Sequence, residues 1–364
     1  MTLSHLLAGF AFVLGSVVGS FLNVCIHRMP RDLSVNKPRR SFCPHCGKLI
    51  PWYHNLPIIS WLVLRGRGAC CGRPISPRYV LVEILTGCAF LAIWLEFQLP
   101  LALAYWIFAA LLIVATFIDF EHYIIPDEIT LGGAAAGIVL SAALPGLMDA
   151  ASWWQSALLS LGAAALGYGA LWLVVEGGKL AFGRKRIVPD RPEPFHFEPD
   201  EENPRLVIGD EVSPWEEIFS RESDVLVLEC ERATLNGAPV RDKNIRIYFD
   251  RVAADESETP LEDVRELSGV VGAIVIPREA MGLGDVKFLA CIGAFLGWQA
   301  VIFTIVSSSV IGALIGGATL LISRGKAGGK IPYGPYLALG AALWLVCGPA
   351  FVQWYLGVLH PQLP

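Results

Sequence analysis

Long apolar segments separated by short polar connectors constrain this chain more than any other feature of its sequence. A helix of roughly 20 apolar residues crosses a hydrocarbon core of about 30 Å. Since 54% of the residues are hydrophobic and 17% are charged, we predict an α-helical polytopic membrane protein with about eight transmembrane helices. The eight apolar segments are 3–25, 78–97, 101–118, 129–147, 153–177, 284–298, 299–322 and 335–357.

Charge divides the chain into two parts. Residues 190–270 contain 22 of the 33 acidic residues but nine of the 28 basic residues, a net charge of −13, whereas the remainder has a net charge of +8. The basic residues of the remainder lie in connectors between apolar segments and form no single patch, which argues against nucleic acid as a partner. The sequence therefore predicts a basic membrane body with one acidic insert.

The Lys and Arg residues of the connectors predict the orientation in the membrane. Basic residues are enriched on the cytoplasmic side of membrane helices. They are frequent in the connectors 26–77 and 178–280, whereas the turns near 98–100, 148–152 and 298–300 contain none. Eight crossings put every basic connector on the cytoplasmic side and both termini outside.

The acidic insert has the pattern of a separate β-rich domain. The runs 224–229 and 244–250 alternate apolar and polar residues, as strands do, and Asn236-Gly237 between them is typical of a turn. The Pro-rich, acidic stretch from Pro189 to Pro204 is predicted to be an irregular linker. We expect a small cytoplasmic domain whose acids form a solvated face; the alternative hypothesis is that its charge attracts basic leaders or partners of the secretion machinery.

These features predict five consecutive regions. A first transmembrane helix (1–29) precedes a cytoplasmic, Cys-containing loop (30–77) and a block of transmembrane helices (78–180). The acidic insert (181–275) separates this block from a second one (276–364).

Carboxylates at the ends of apolar segments are the strongest functional signal. Charged groups are costly there, so each is a candidate site residue. Asp119 ends the third segment, Asp127 precedes the fourth and Asp285 opens the sixth, all on the predicted cytoplasmic surface. Two such carboxyl groups held close together share a proton and can activate water and protonate a leaving amine without a metal. Each acid alone is equally compatible with an ordinary helix end.

Several motifs accompany these acids in a fixed order. They are Gly19-Ser-Phe-Leu-Asn-Val24, Cys43-Pro-His-Cys46, Ile75-Ser-Pro-Arg-Tyr79, Phe117-Ile-Asp119, Ile125-Pro-Asp127, Gly282-Leu-Gly-Asp285-Val-Lys287 and Ile331-Pro-Tyr-Gly-Pro335. In this combination the chain resembles the prepilin peptidases, also called type 4 leader peptidases, which are membrane aspartic proteases of the GxGD type. The resemblance covers residues 1–180 and 276–360 and leaves the acidic insert unmatched.

The resemblance implies an activity and a set of site residues. Asp119 and Asp285 correspond to the catalytic pair, and the supporting residues are Asp127, Gly282, Gly284 and Lys287. Family members remove a basic leader from type IV prepilin or pseudopilin precursors at the cytoplasmic face of the bacterial inner membrane, without a cofactor. Many also methylate the new N-terminus with S-adenosylmethionine. The implied partners are these precursors, the lipid bilayer and pilus or secretion machinery.

The Cys residues of the 30–77 loop indicate a metal site. Cys43-x-x-Cys46 is followed by the adjacent Cys70 and Cys71. Because the cytoplasm keeps thiols reduced, such groups bind zinc more often than they form disulfides. We expect these four Cys to bind zinc; the alternatives are a metal-free loop or a three-Cys site that His45 or His54 completes.

The second Cys pair departs from the pattern that the resemblance implies. Family members commonly have a second Cys-x-x-Cys pair, but Gly68 stands at its first position here, so that Cys70 is the substitute ligand. The resemblance associates this loop with methylation, and the departure therefore concerns that activity more than cleavage.

Two other classes of function use the same acids. A polytopic ion-coupled transporter is the main alternative, but it predicts acids near mid-span, whereas Asp119 and Asp285 lie at segment ends. A degenerate family member that acts as a secretion scaffold is the second alternative, and the intact aspartates count against it. The chain has no HExxH or GxSxG motif, which argues against membrane zinc and serine proteases.

Overall fold

A computed structural model shows two compact units, Met1–Leu173 with Met281–Pro364, and Val174–Ala280. The first unit is helical, and the second contains a β-sheet. The structure describes residues 3–38, 41–43, 45–182, 184–189, 191–200, 204–209, 211–219, 225–255, 257–277, 282–322 and 332–359.

Long helices form the first unit, and their bounds match the apolar segments. Within the described residues, five helices are long and apolar enough to cross a membrane (α1, α3, α4, α6 and α8), which confirms the prediction of a polytopic membrane protein. The helices in chain order are α1 (Leu3–Arg28), α2 (Ile59–Val63), α3 (Arg78–Glu96), α4 (Leu101–His122), α5 (Asp127–Ala143), α6 (Trp153–Phe182), α7 (Trp215–Ile218), α8 (Leu283–Ile322) and α9 (Gly334–Leu359).

The helix α8 reverses direction at Gly297. Its 40 residues contain both predicted segments 284–298 and 299–322, and Gly297 has φ 81° and ψ 176°, far from helical values. A Cβ built on Gly293 lies 2.9 Å from Cγ2 of Val301, although eight residues of a straight helix span about 12 Å. The two arms of α8 therefore pack against each other.

Glycines set the spacing between the helices. A Cβ on Gly15 of α1 would lie 2.7 Å from the carbonyl oxygen of Thr86 in α3, and a Cβ on Gly137 of α5 would lie 2.9 Å from Cβ of Ala294 in α8. Small residues allow such close approach of helices in a membrane, where van der Waals packing drives association. The packing brings the first arm of α8 against α5.

The second unit is an antiparallel sheet, which confirms the predicted β-rich insert. Asn236 and Gly237, with φ 50° and 80°, form the predicted turn between β5 and β6. In the described residues the strand order is β4-β3-β2-β10-β5-β7-β8-β9, with β1 beside β10 and β6 beside β5. The strands are β1 (Arg184–Ile187), β2 (Glu193–Glu198), β3 (Arg205–Ile208), β4 (Glu211–Pro214), β5 (Val225–Leu235), β6 (Ala238–Val240), β7 (Asn244–Tyr248), β8 (Arg251–Ala254), β9 (Ser257–Pro260) and β10 (Leu267–Pro277).

The prediction of an irregular linker from Pro189 to Pro204 is wrong in its central part, where β2 forms. The strand alternates buried Phe195 and Phe197 with exposed residues, and the burial of two aromatic rings outweighs the local polarity. Pro194 has no N–H to donate, but its carbonyl oxygen accepts the N–H of Gly209 at 2.8 Å.

The substitution Gly167→Ala in α6 is expected to destabilise the helical unit by about 1–3 kcal/mol, the range for overpacking. The new Cβ would lie 2.6 Å from the carbonyl oxygen of Leu289 in α8, and a backbone atom cannot move aside without the helix. Thermal unfolding of the full-length protein in detergent, followed by tryptophan fluorescence, measures the effect.

Gly169→Ala on the same helix is the matched control, because a Cβ at this position meets nothing within 4 Å. Equal unfolding temperatures for the two variants would contradict the close contact between α6 and α8.

Candidate active site

Asp119 lies in the last turn of α4, where its carboxyl group is held from a distant part of the chain. Only 5% of the residue is exposed. Its Oδ2 accepts the backbone N–H of Gly334 at 2.9 Å. The first N–H groups of a helix lack intrahelical acceptors, and Gly334 opens α9. The start of α9 therefore positions this carboxylate.

Gly334 leaves no room for a side chain. A Cβ at this position would lie 2.7 Å from Oδ2 of Asp119 and 2.9 Å from Cδ1 of Ile125. The contact between backbone and carboxylate depends on glycine here.

Asp285 lies in the first turn of α8, and its carboxyl group interacts electrostatically with that of Asp119. Its Oδ1 is buried, and no donor among the described residues bonds it. A buried acceptor without a partner is unfavourable, which sets Asp285 apart from the paired Asp127. Gly284 lies against Ile125, with its Cβ position 3.4 Å from Cβ of Ile125.

Asp127 and Lys287 form an ion pair beside these two acids. Lys287 Nζ donates to Oδ1 and Oδ2 of Asp127 at 2.7 and 2.9 Å, which links the first turns of α5 and α8. No ion pair to Asp119 or Asp285 occurs in the described ranges. Buried Asp119 and half-buried Asp285 therefore differ from Asp127, whose charge a lysine balances.

The geometry thus brings the predicted residues Asp119, Asp127, Asp285 and Lys287 to adjoining helix ends, with Gly282 and Gly284 preceding Asp285. The Cβ position of Gly282 is 3.8 Å from Oδ2 of Asp285. Sequence reasoning missed Gly334 as a partner of Asp119. The signal was a glycine before a proline at a helix start, where the N–H is free to bind an acid.

Two turns of similar geometry carry the four predicted metal ligands. In the first, the N–H of Cys43 bonds the carbonyl oxygen of Lys48 at 2.9 Å. In the second turn, the N–H of Gly68 donates to the carbonyl oxygen of Arg73 at 2.8 Å. Gly68 therefore occupies in its own turn the place that Cys43 has in the first.

Cys70 supplies the thiol that Gly68 lacks. The Sγ atoms of Cys43, Cys46, Cys70 and Cys71 all lie within 4.8 Å of one another, with 3.7 Å between those of Cys43 and Cys71 and 3.2 Å between those of Cys46 and Cys70. Tetrahedral zinc with bonds of about 2.3 Å requires Sγ separations of about 3.8 Å. The four thiols therefore suit one such ion.

The surroundings of Cys43 favour its thiolate form. Burial raises the pKa of the Cys43 thiol, but the N–H groups of His45 and Cys46 and the neighbouring thiols outweigh this effect and lower the pKa to about 6. The thiolate is the form that binds a metal.

Two models of known families match most of the chain outside the acidic insert. The bacterial Peptidase A24 N-terminal domain matches residues 13–97, and the type IV leader peptidase family matches residues 106–187 and 266–317. A prepilin leader peptidase/N-methyltransferase of Klebsiella pneumoniae is 39% identical over 181 residues, which are 44% of this chain and 78% of that protein. The chain belongs to the type IV leader peptidase family.

Other members of the family match shorter or longer parts of the chain. The prepilin leader peptidase/N-methyltransferase of Myxococcus xanthus is 44% identical over 191 residues, 50% of this chain and 54% of that protein. The protein of the same name from Aeromonas hydrophila is 27% identical over 373 residues, 95% of this chain and 92% of that protein. No solved structure matches the chain.

Proposed function

We propose that this chain is a membrane aspartic endopeptidase that cleaves the basic leader from type IV prepilin-like precursors and N-methylates the new N-terminus. The observation that carries the proposal is the pair Asp119 and Asp285, two acids at helix ends that meet around Ile125, which contacts both the Gly334 position beside Asp119 and the Gly284 position before Asp285. Membership of the type IV leader peptidase family and the names of the relatives support both reactions.

The proposed hydrolysis uses the two carboxyl groups in turn. One carboxylate takes a proton from water while the other, protonated, donates a hydrogen bond to the scissile carbonyl oxygen. The water oxygen attacks the carbonyl carbon, and the C–N bond breaks as the leaving amine accepts a proton. Gly334 holds Oδ2 of Asp119 through its N–H, and the Lys287–Asp127 pair fixes the start of α8.

We further propose eight crossings of the bacterial inner membrane, in which α8 contributes two. The basic connectors then face the cytoplasm together with Asp119 and Asp285. A precursor whose apolar helix lies in the bilayer has its basic leader on that side. An ion-coupled transporter would need its acids near the middle of the membrane helices. It is disfavoured, because Asp119 lies in the last turn of α4 and Asp285 in the first turn of α8.

For the Cys cluster we propose structural zinc. Four protein ligands leave no open coordination position, as in structural sites, and the ion would join the two turns. S-adenosylmethionine, when bound, supplies the methyl group for the second reaction.

Replacement of either acid, in Asp119→Asn or Asp285→Asn, is expected to lower cleavage by about 100-fold to 10,000-fold, because the pair loses its base or its acid. Mass spectrometry of the N-terminus of a precursor co-expressed in the same membranes measures the extent of cleavage. Asp149→Asn, an exposed acid after α5, is the control. Near-normal processing by either active-site variant would overturn the assignment.

Gly334→Ala is expected to slow cleavage on the order of 100-fold, since a misplacement of about 1 Å has this effect and the Cβ would lie 2.7 Å from Oδ2 of Asp119. The rate constant for cleavage at saturating precursor is the measurement. Gly357→Ala on the same helix, where a Cβ meets nothing within 4 Å, is the matched control. A rate equal to the control's would contradict the positioning role of Gly334.

Zinc content tests the role of Cys70. We expect one zinc per wild-type chain by elemental mass spectrometry, a loss of bound zinc in Cys70→Ser and none in Cys88→Ser, whose thiol lies outside the cluster. Adding Gly68→Cys to Cys70→Ser should restore zinc, because the Cβ position of Gly68 lies 3.5 Å from Sγ of Cys71 and 4.0 Å from Sγ of Cys43. Full zinc content in Cys70→Ser alone would refute the four-Cys site.

A further inference from the structure

The segment 49–64, which joins the two Cys turns, contains no Asp, Glu, Lys or Arg. It includes α2 and a 3₁₀ turn at Trp52–His54. Many of its large apolar side chains are exposed, with Trp52 at 78% and Val63 at 74%. A continuous exposed patch of this kind marks an interaction surface. We call it the apolar face of the loop, and its residues are Trp52, Tyr53, Leu56, Ile59, Leu62 and Val63.

The helix α2 is apolar on both of its sides. Ile59, Leu62 and Val63 are three and four residues apart, so they share one side. On the opposite side, Trp61 is packed against protein: its Nε1 donates to the carbonyl oxygen of Ile75 at 3.4 Å. A helix at a water-exposed surface has charged or polar residues on its outer side. The outer side of α2 has none, which indicates an apolar neighbour.

A hydrogen bond from Ile58 fixes the level of this segment beside α1 and α3. The N–H of Ile58 donates to Oε2 of Glu83 at 2.7 Å, and Glu83 lies five residues, about 7.5 Å, inside the start of α3 at Arg78. At the same level of α1, a Cβ on Gly19 would lie 2.8 Å from Cα of Glu83. Gly19 precedes His27, which ends the apolar stretch of α1, by eight residues or about 12 Å. Because α1 and α3 are candidate membrane spans, Ile58 lies at the depth of their apolar stretches.

The backbone of the segment is bonded as a position in lipid requires. Non-helical backbone at membrane depth needs partners within the protein, because the hydrocarbon region offers no water. Glu83, which is buried, accepts the N–H of Ile58. The hydroxyl of Ser60 accepts the N–H of Leu56 at 3.0 Å and donates to the carbonyl oxygen of Tyr53 at 3.3 Å. Side chains thus satisfy backbone groups that water would satisfy in an ordinary surface loop.

The residues at both ends of the apolar face suit the headgroup region of a membrane. Arg65 and Arg67 follow α2 directly, and both are exposed. Long basic side chains reach from an apolar surface to the phosphate groups of lipids. Tryptophan and tyrosine, here Trp52 and Tyr53, are enriched at the same level of a bilayer. The segment therefore combines an apolar centre with ends that match the polar boundary.

We propose that the apolar face of the loop lies in the phospholipid bilayer, at the boundary between headgroups and acyl chains. Interfacial helices insert their apolar side by about 5–10 Å, whereas a crossing takes roughly 20 residues and α2 has five. Phe21 of α1 and Leu81 of α3 are exposed near the same level, so the bilayer that covers these helices also reaches α2. The loop between the Cys turns then dips into the membrane surface and holds both turns beside it.

Photochemical labelling from the lipid phase tests this location in the wild-type protein. The full-length chain is placed in phosphatidylcholine nanodiscs that contain a phosphatidylcholine with a diazirine in its acyl chain near the ester bond. After irradiation, the labelled peptides are identified by mass spectrometry. Label on residues 52–63 as well as on α1 and α3 is the expected result. Label on the two helices but none on 52–63 would overturn the inference, and this result does not depend on the folding of a variant.

A matched pair of substitutions measures the access of water to the apolar face. Val63→Cys places a thiol on it, and Val212→Cys places one on β4 of the acidic domain, where Val212 is 51% exposed. In nanodiscs, a membrane-impermeant maleimide is expected to modify the thiol of Val63→Cys about tenfold more slowly or less, because the reactive thiolate is disfavoured in apolar surroundings. Peptide mapping by mass spectrometry separates both sites from the native Cys residues. Equal rates for the two variants would refute the burial of this face in lipid.

A second copy of the chain and a precursor are the other candidate occupants of this face. Nanodiscs that hold one chain each and no precursor contain neither, so slow modification under these conditions assigns the face to lipid. Slow modification only in discs with two chains, or only after a precursor is added, would overturn the assignment. Adding Asp119→Asn to Val63→Cys should leave the modification rate unchanged, so a failure of the proposed cleavage does not affect this test.

Discussion

The hydrogen bond between the N–H of Gly334 and Oδ2 of Asp119 is the contact on which the candidate active site depends. It uses a donor that every helix start leaves unpaired, and it joins the last turn of α4 to the first turn of α9. Ile125 fills the space between Gly334 and Gly284, so the start of α8 is set against the same contact. A single backbone group thus determines where three helix ends meet.

Much of the helical unit follows from local sequence, because a bilayer imposes its requirement on each segment separately. The apolar segments coincide with helices, and the acids at their ends stand out because charge is rare there. A glycine before a proline at a helix start signals the free N–H of Gly334, but its partner Asp119 could not be found in this way, since it lies 215 residues away and only packing brings them together. The reversal of α8 at Gly297 was predicted as two segments, but the φ that produces it is a tertiary result. In β2, the local signals of proline and charge were strong, and the buried rings of Phe195 and Phe197 outweighed them.

In the Cys turns, too, one part of the site could be predicted from the sequence and another part depends on the folded geometry. The pattern that the family resemblance implies identified Gly68 as the position where a ligand is missing. Whether the adjacent Cys70 can replace it depends on the direction of its side chain, which the turn sets. Gly72, with φ 68°, closes that turn in the same conformation as Gly47 closes the first. The resulting turn lets two consecutive thiols approach the Cys43–Cys46 pair.

The pairing of β1 with β10 has a consequence for how this chain was assembled. Arg184 lies opposite Pro277, and antiparallel partners have Cα atoms about 4.5–5.5 Å apart. The acidic domain therefore begins and ends in one two-stranded stem. The family match stops at residue 187, the end of β1, and resumes at 266, next to the start of β10. Such a stem lets a whole domain be inserted at a single place in a chain.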